Sequence, residues 1–302
     1  MRILYYNWAP INSLSLGGGV NVYMRNLVSY LESQTEEQCV EVFFLSSGWF
    51  YDGSKKPYIR NEGKVGVVKC YTIINSPIIA PQRFAMSQPS VFFNDQIIRR
   101  LFNSFIKENG PFDVIHFQSL EGLSPKVLEL KSDNPNTRFV YSIHDYGLFC
   151  PSVRLWTDKS TNCYTDKEKR ECSKCMGKYK TARFKSLETL LRPSNINIVN
   201  HNSFVKKLYT GIIYRVNRYL CKYQLGTNQN EYLRFREQNV DMINHYIDTV
   251  LCVSGRVAEI ANHYGVNKEK LKVCYIGTKV AETAIYRPCT SENTVLFTLL
   301  YY

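Results

Sequence analysis

The stretch HDYGLFCPSVRLW, residues 144–156, combines three kinds of side chain that can do chemistry. The imidazole of His144 can exchange a proton near neutral pH, and the carboxylate of Asp145 directly follows it. Cys150 comes five residues later and is followed by three further cysteines. The stretch therefore indicates a catalytic edge, a metal site, or a loop that is rich in functional side chains.

The cysteines form a second candidate site, with the spacing C-x12-C-x8-C-x2-C. They are Cys150, Cys163, Cys172 and Cys175. A Cys-x-x-Cys pair places two thiolates on one turn, and two more thiolates can complete a tetrahedral structural zinc site. Only the last pair is closely spaced, so unpaired loop thiols or one disulfide remain alternatives. In a reducing compartment, the ten cysteines of the chain are typical of buried thiols or metal ligands.

A glycine-rich stretch, SLGGGVNVYMRNL, is a candidate phosphate site near the start of the chain. Gly18 and Gly19 would let backbone N–H groups approach an anion at a helix N-terminus. A dinucleotide fingerprint is excluded, because Val22 occupies the place of its third glycine. A flexible loop without a ligand is the alternative interpretation.

The elements predicted around these residues alternate between strands and helices. Strands are predicted at 2–7, 40–47, 65–73, 112–119, 138–146, 248–254 and 270–278, and helices at 20–31, 97–110, 124–132 and 255–265. This alternation predicts an α/β fold: a Rossmann-like parallel sheet with helices on both faces. The 44% content of hydrophobic residues supports a packed core and excludes a disordered chain.

Parallel sheets place their chemistry where the strands end, at the carboxyl edge. The glycine loop, residues 116–119 (His116 to Ser119), the His144-Asp145 pair and Ser254 all fall there in the predicted order. His116 lies within an apolar strand, where a histidine is more often a packed core residue than a catalyst. Its place at the carboxyl edge nevertheless puts it among the residues predicted to bind substrate, with Gly18, Gly19, Asp145 and Ser254. His144 is at a strand exit, so we predict that it faces the substrate. The convergence of these sites predicts a ligand cleft.

Positive charge is concentrated in one segment of the chain. The net charge is +12, and residues 178–236 contain twelve Lys or Arg against two Glu, which gives +10 for that segment. Within it, residues 203–225 have an aliphatic and tyrosine stripe flanked by basic residues. They predict an amphipathic helix, packed on the sheet or resting on anionic lipid headgroups. No recognised nucleic-acid-binding module is visible, so nucleic acid is not a predicted partner.

Neither a signal peptide nor an apolar stretch of about 18 residues is present, so the sequence predicts a cytoplasmic protein. The basic segment places it peripherally, at the inner face of the membrane.

In combination, the motifs resemble the N-terminal, acceptor-side domain of family-4-type glycosyltransferases of the GT-B fold. The resembling stretches follow the family's order: GGGVNVYMRNL, DVIHFQS, VYSIHDYGLFCP, FREQNVDMINHYIDTVLCVSGRVAEIANHYGV and KLKVCYIGT. HDY-x3-CP followed by Cys-x-x-Cys is typical of a branch that acts mostly on surface polysaccharides.

The resemblance implies a two-domain enzyme that transfers a sugar from a nucleotide sugar to a glycan or lipid-linked acceptor. Transfer in the family usually retains the anomeric configuration and needs no metal cofactor. By position, Gly18 and Gly19 would belong to a mobile loop facing the donor phosphates. His144 would match the histidine near the donor sugar and the attacking hydroxyl, and Asp145 and Ser254 would line or support the cleft.

The resemblance also implies a domain division. Residues 1–285 would form the Rossmann-like domain, with a cysteine-containing loop and a basic helical insertion at 150–240. Residues 286–302 would be a linker and the first strand of a second, truncated domain that binds the donor in the family.

Two other functions remain open. One is a non-catalytic, membrane-docking partner of a separately encoded donor-binding half. The other is a zinc-containing nucleic-acid-binding protein, against which the α/β order argues.

Overall fold

The structure is a computed structural model. It describes residues 1–13, 16–34, 40–54, 56–86, 89–156, 163, 172–176, 178–179, 211, 222–223 and 229–277. Most of the predicted basic helix at 203–225 and the predicted second-domain strand at 286–302 lie outside these residues, so both stay predictions. Among the described helices, none combines the length and the hydropathy that a transmembrane span requires.

The fold is built on one large sheet. The described strands are β1 (Arg2–Tyr6), β2 (Glu41–Ser47), β3 (Tyr58–Val65), β4 (Val68–Ile74), β5 (Val114–Phe117), β6 (Arg138–Ile143), β7 (Lys178–Tyr179), β8 (Lys222–Tyr223), β9 (Thr249–Cys252) and β10 (Leu271–Val273). Eight of them form a sheet in the order β10-β9-β6-β5-β1-β2-β4-β3, and β7 pairs with β8 in a separate ribbon. All neighbours in the large sheet are parallel except β3 and β4. The predicted parallel sheet is confirmed.

The edge strand β3 was not predicted. Its sequence, YIRNEGKV, is polar and its side chains are mostly exposed, so it lacks the apolar run that indicates a buried strand. The predicted strand at 65–73 therefore covers only the second arm of the β3–β4 hairpin.

Helices cover the sheet. They are α1 (Gly18–Gln34), α2 (Gln82–Ala85), α3 (Pro89–Asn94), α4 (Gln96–Asn109), α5 (Leu130–Asp133), α6 (Cys172–Cys175), α7 (Gln229–Tyr246) and α8 (Gly255–His263), with 3₁₀ turns at Pro125–Glu129 and Lys268–Lys270. The helices predicted at 20–31, 97–110 and 255–265 are confirmed. The segment predicted as a helix at 124–132 is a 3₁₀ turn that leads into α5. No prediction was made for α7, whose apolar face is sparse.

The core divides into two layers because side chains on a strand alternate between faces. On β1, Ile3 and Tyr5 pack with Met24 and Val28 of α1 in one cluster. Leu4 and Tyr6 enter the larger cluster on the other face, which also contains buried residues of α4 and α7. Helices therefore lie on both faces of the sheet, as predicted.

The strand order reverses between β1 and β5. From β1 the chain builds outward through β2 and β4, then returns to the other side of β1 for β5, β6, β9 and β10. In doubly wound sheets of this kind, ligands bind beyond the carboxyl ends of the strands at such a reversal. The topology thus locates the candidate cleft beside Asn7 and Gln118, the residues that follow β1 and β5.

A close backbone contact between the β2 end and the loop after β5 gives a testable prediction. Gly122 has φ +75°, and a Cβ there would lie 2.3 Å from the Ser47 carbonyl oxygen. Gly122→Ala should therefore lower the free energy of unfolding by about 3 kcal/mol, measured by urea denaturation. The control is Gly63→Ala, with φ +84° and nothing within 4 Å of its Cβ. It should cost about 1 kcal/mol, and equal losses would contradict the steric argument.

Candidate functional site

His144 follows β6 at the carboxyl edge of the sheet. Its Nε2 lies 2.7 Å from Oε1 of Gln118, and its ring centroid lies 5.1 Å from that of Tyr23 on α1. With Oε1 as the acceptor, Nε2 carries the proton and Nδ1 carries the lone pair. Burial lowers the pKa of His144 to about 4. The imidazole is therefore neutral at neutral pH and can accept a proton or a hydrogen bond through Nδ1.

Gln118 presents a second feature at the same edge. Its side chain is almost completely buried, and its Nε2 has no hydrogen-bond partner among the described residues. A buried amide donor without a partner is costly, and it is typical of a place completed by a ligand or a water. Sequence reasoning placed Gln118 at the edge without assigning it a role, because its partner His144 lies 26 residues away.

His116 has a different environment. It is buried, its Nε2 lies 2.8 Å from Oγ of Ser142, and its ring centroid lies 5.5 Å from that of Tyr5. Burial, with a smaller contribution from His144, lowers the pKa of His116 to about 3. The geometry favours a packed, hydrogen-bonded core histidine. The substrate contact predicted for His116 stays a prediction.

The glycine loop enters α1 beside this edge. Gly17 has φ +78°, and a Cβ there would lie 2.7 Å from Cγ of Asn21 and 2.8 Å from Cβ of Ala9, so a larger residue does not fit. A Cβ on Gly18 or Gly19 would meet nothing within 4 Å. The first turn of α1 therefore presents an open face where backbone N–H groups can meet an anion.

Asn21 holds the glycine loop in place, and sequence reasoning missed it. Its Nδ2 donates to the carbonyl oxygens of Pro10 at 2.8 Å and Leu16 at 3.0 Å, while its Oδ1 accepts from Nδ2 of Asn7 at 3.1 Å. Both asparagines are almost completely buried. The only sign of this role in the sequence is that Asn21 is a polar residue on the apolar face of the predicted helix.

Asp145 belongs to a pair of carboxyl groups. The Glu121 carboxylate accepts the backbone N–H of Gln82, and Asp145 Oδ1 accepts the backbone N–H of Gly147 at 2.7 Å. Burial, with the charge of Asp145 as a smaller cause, raises the pKa of Glu121 to about 8. Burial also raises the pKa of Asp145. The pair therefore retains a proton at neutral pH.

A small cavity lies against this pair. It has a volume of about 10 Å³ and is lined by Gln82, Phe92, Ser119, Leu120, Glu121, Tyr141, Asp145, Gly147, Leu148 and Asn239. Asn239 Oδ1 is buried and has no hydrogen-bond partner among the described residues. The volume suits a single water molecule. Asp145 thus lines an internal cavity, which favours a supporting role over direct contact with substrate.

Ser254 follows β9, the neighbour of β6. Its Oγ accepts the backbone N–H of Val257 at 3.2 Å and caps the N-terminus of α8. The pairing of Ile143 with Cys252 puts Ser254 level with Asp145 at the sheet edge. Its observed role is to begin a helix, and its predicted place in the cleft stays a prediction.

The four predicted zinc ligands come together. Cys150, Cys163, Cys172 and Cys175 all line one cavity of about 10 Å³, which Arg236 also lines. None of the described cysteines forms a disulfide. Over the described ranges, no three His, Cys, Asp or Glu side chains converge closely enough to hold a metal ion as they stand. Zinc therefore stays a prediction at this point.

No protein-family model and no curated protein matches the chain. Among solved structures, HepE of Anabaena in complex with UDP and glucose is 12% identical with a TM-score of 0.37, over 93% of this chain and 46% of that chain. Sucrose-phosphate synthase from Thermosynechococcus elongatus is 13% identical with a TM-score of 0.47, over 93% and 49%.

The chain thus spans about half the length of these two structures. An α,α-trehalose-phosphate synthase from Burkholderia xenovorans is 17% identical with a TM-score of 0.32, over 48% and 34%. At these TM-scores the likeness carries no argument about activity, and the family that the motifs resemble stays a prediction.

The raised pKa of Glu121 gives a prediction about stability. The pKa is about 8 in the folded chain and about 4.3 in the unfolded chain, so the folded state binds the proton more tightly. The resulting stabilisation is complete below about pH 4.3 and is lost as the pH rises to about 8. Glu121→Gln should therefore gain stability relative to the wild-type chain across this range.

The measurement is the difference in free energy of unfolding between variant and wild type, by urea denaturation at each pH. Glu108→Gln, an exposed change on α4, is the control, and its difference should stay constant. A Glu121→Gln difference that does not change with pH would contradict the assignment.

Proposed function

We propose that this chain is the acceptor-side, Rossmann-like part of a glycosyltransferase. It would transfer a sugar from a nucleotide sugar to a glycan or lipid-linked acceptor in the synthesis of a surface polysaccharide. The observation that carries the proposal is the neutral His144 at the carboxyl edge, packed against Tyr23 of the helix that Gly18 and Gly19 begin. The order of motifs resembling the glycosyltransferase family supports it.

The chemistry of sugar transfer suits this pairing of groups. The acceptor hydroxyl must lose a proton, and the departing nucleotide diphosphate carries negative charge. Nδ1 of His144 can accept a hydrogen bond from the hydroxyl, since Nε2 is held by Gln118 at 2.7 Å. The open first turn of α1 can receive phosphate oxygens. The proposal also includes retention of the anomeric configuration and transfer without a metal cofactor, and both rest on the family resemblance.

The low negative charge of the site supports the same assignment. Glu121 is protonated at neutral pH because its pKa is raised to about 8, so the buried carboxyl pair carries less charge than two free carboxylates. A donor that carries a diphosphate meets less repulsion at such an edge. The pair would contribute by holding the residues after His144 in place.

The location proposed for the enzyme is the cytoplasmic face of the membrane. The observation behind it is the excess of ten positive charges in residues 178–236. Anionic headgroups attract such a segment, and a lipid-linked acceptor would be presented at the same surface.

Replacement of His144 tests the proposed chemistry. In the full-length protein, His144→Ala should lower kcat/KM for transfer by about 100-fold or more, because the hydroxyl loses its hydrogen-bond acceptor. The assay uses a panel of nucleotide sugars with lipid-linked acceptors. His245→Ala, an exposed histidine at the end of α7, is the control and should leave the rate unchanged.

Near-normal kcat/KM in a well-folded His144→Ala protein would restrict His144 to a structural role. No transfer with any donor, in a protein that still binds membranes, would favour the non-catalytic docking partner instead.

Charge reversal tests the membrane proposal. Binding to vesicles that contain anionic lipid should weaken with salt, because each basic residue contributes about 1 kcal/mol near an anionic surface. Changing four basic residues of the predicted helix to Glu should release the protein: Lys206, Lys207, Arg215 and Arg218. The control reverses four exposed lysines elsewhere: Lys64, Lys107, Lys268 and Lys272.

Both variants change the net charge by the same amount. A difference in vesicle binding between them would therefore show that one particular surface binds the membrane. Equal release by both would disprove a localised site, and equal binding to neutral and anionic vesicles would disprove the electrostatic account.

A further inference from the structure

The cysteine cavity is the strongest feature that the proposed function does not use. Four cysteines line it. Cys150 lies in the loop after β6, Cys172 and Cys175 are the first and last residues of α6, and Cys163 lies between them in the sequence. The side chain of Cys150 lies 3.2 Å from Oγ of Ser152. Four cysteines that line one small cavity are the ligand types of a structural zinc site.

Arg236 supplies an independent observation. This residue of α7 is only 7% exposed. Its guanidinium donates to the carbonyl oxygen of Phe149 at 2.6 Å and contacts Sγ of Cys172. No Asp or Glu in the described part of the chain forms an ion pair with it. A buried cation is costly unless a negative group compensates it. One of the two hydrogen-bond acceptors of this guanidinium is a cysteine sulfur.

We propose that Cys150, Cys163, Cys172 and Cys175 bind one zinc ion as four thiolates, with Arg236 as the charge-balancing neighbour of Cys172. Zinc with four thiolates carries a net charge of about −2, which a buried guanidinium partly offsets. The cavity of about 10 Å³ has room for a single ion. Binding would require the side chains to move until each sulfur lies about 2.3 Å from it. Hydrogen bonds to ligating groups orient them in such sites.

The location indicates what the metal would do. Cys150 N–H donates to the Tyr146 carbonyl oxygen at 2.8 Å, and Arg236 ties the same loop to α7 through Phe149. Zinc would therefore fix the loop that begins with His144 against α6 and α7. Its role would be structural and does not depend on which reaction the protein catalyses.

The test measures metal directly in the full-length protein. Native mass spectrometry after reconstitution with zinc alone should show one zinc per chain. Cys172→Ser combined with Cys175→Ser should abolish binding, whereas Cys274→Ser, an exposed cysteine outside the cavity, should not. Unmodified protein loaded with cobalt should show intense thiolate-to-cobalt charge-transfer absorption, and this readout needs no variant to fold.

Arg236 has its own readout. Arg236→Gln should weaken zinc affinity by about 10-fold or more in competition with a chelating dye, the range for loss of a group that orients a ligand. Arg256→Gln, an exposed arginine of α8, is the control. Unchanged affinity in Arg236→Gln would remove the charge-balancing role.

Three results would overturn the zinc site. They are a chain that takes up no zinc or cobalt after reconstitution, a disulfide between any of the four cysteines in protein purified without added reductant, or equal zinc binding by the double serine variant.

Discussion

The parallel pairing of β1, β5 and β6 is the constraint on which the candidate site depends. Tyr6 pairs with Phe117, which pairs with Tyr141, so the three strands end at nearly one level. These strands are buried on both faces, and a slip of one residue would exchange the two core layers. The register therefore fixes where Gln118 and His144 stand relative to the glycine loop.

The electrostatics of the edge follow from the same burial. Two histidines are kept neutral, and one of two adjacent carboxyl groups keeps its proton, because the interior disfavours each charged form. The edge is thus polar without being strongly charged. Such a surface can receive a substrate with its own charge without first expelling counter-ions.

The sequence predicted the elements whose patterns are local. β1 is a short apolar run, α4 has an amphipathic stripe that ends before Gly110, and His144 stands at a predicted strand exit, so each could be located from its neighbours alone. The polar edge strand β3 and the sparsely apolar α7 lack such patterns and were missed. Local pattern is sufficient only where burial is regular.

The partners of the site residues could not be predicted for a different reason. Gln118, Glu121 and Arg236 acquire their roles from groups that folding brings from 24 to 87 residues away. Spacing along the chain did indicate which cysteines belong together, because two of them share one turn. It did not indicate the buried arginine beside them. Arg236 lies in a segment with many basic residues, and nothing in the sequence separates a buried arginine from its exposed neighbours.

The exposed strand β3 affects how copies of the protein meet. It is one outer strand of the large sheet, and an unpaired row of backbone groups at such a position invites edge-to-edge association. Arg60, Glu62 and Lys64 place charge along it, and the register shifts between Asn61 and Gly63. Charge and irregular pairing both oppose the addition of a strand from a second molecule. The polar sequence of β3 is the reason that the strand was not predicted. The same polarity protects the sheet from aggregation.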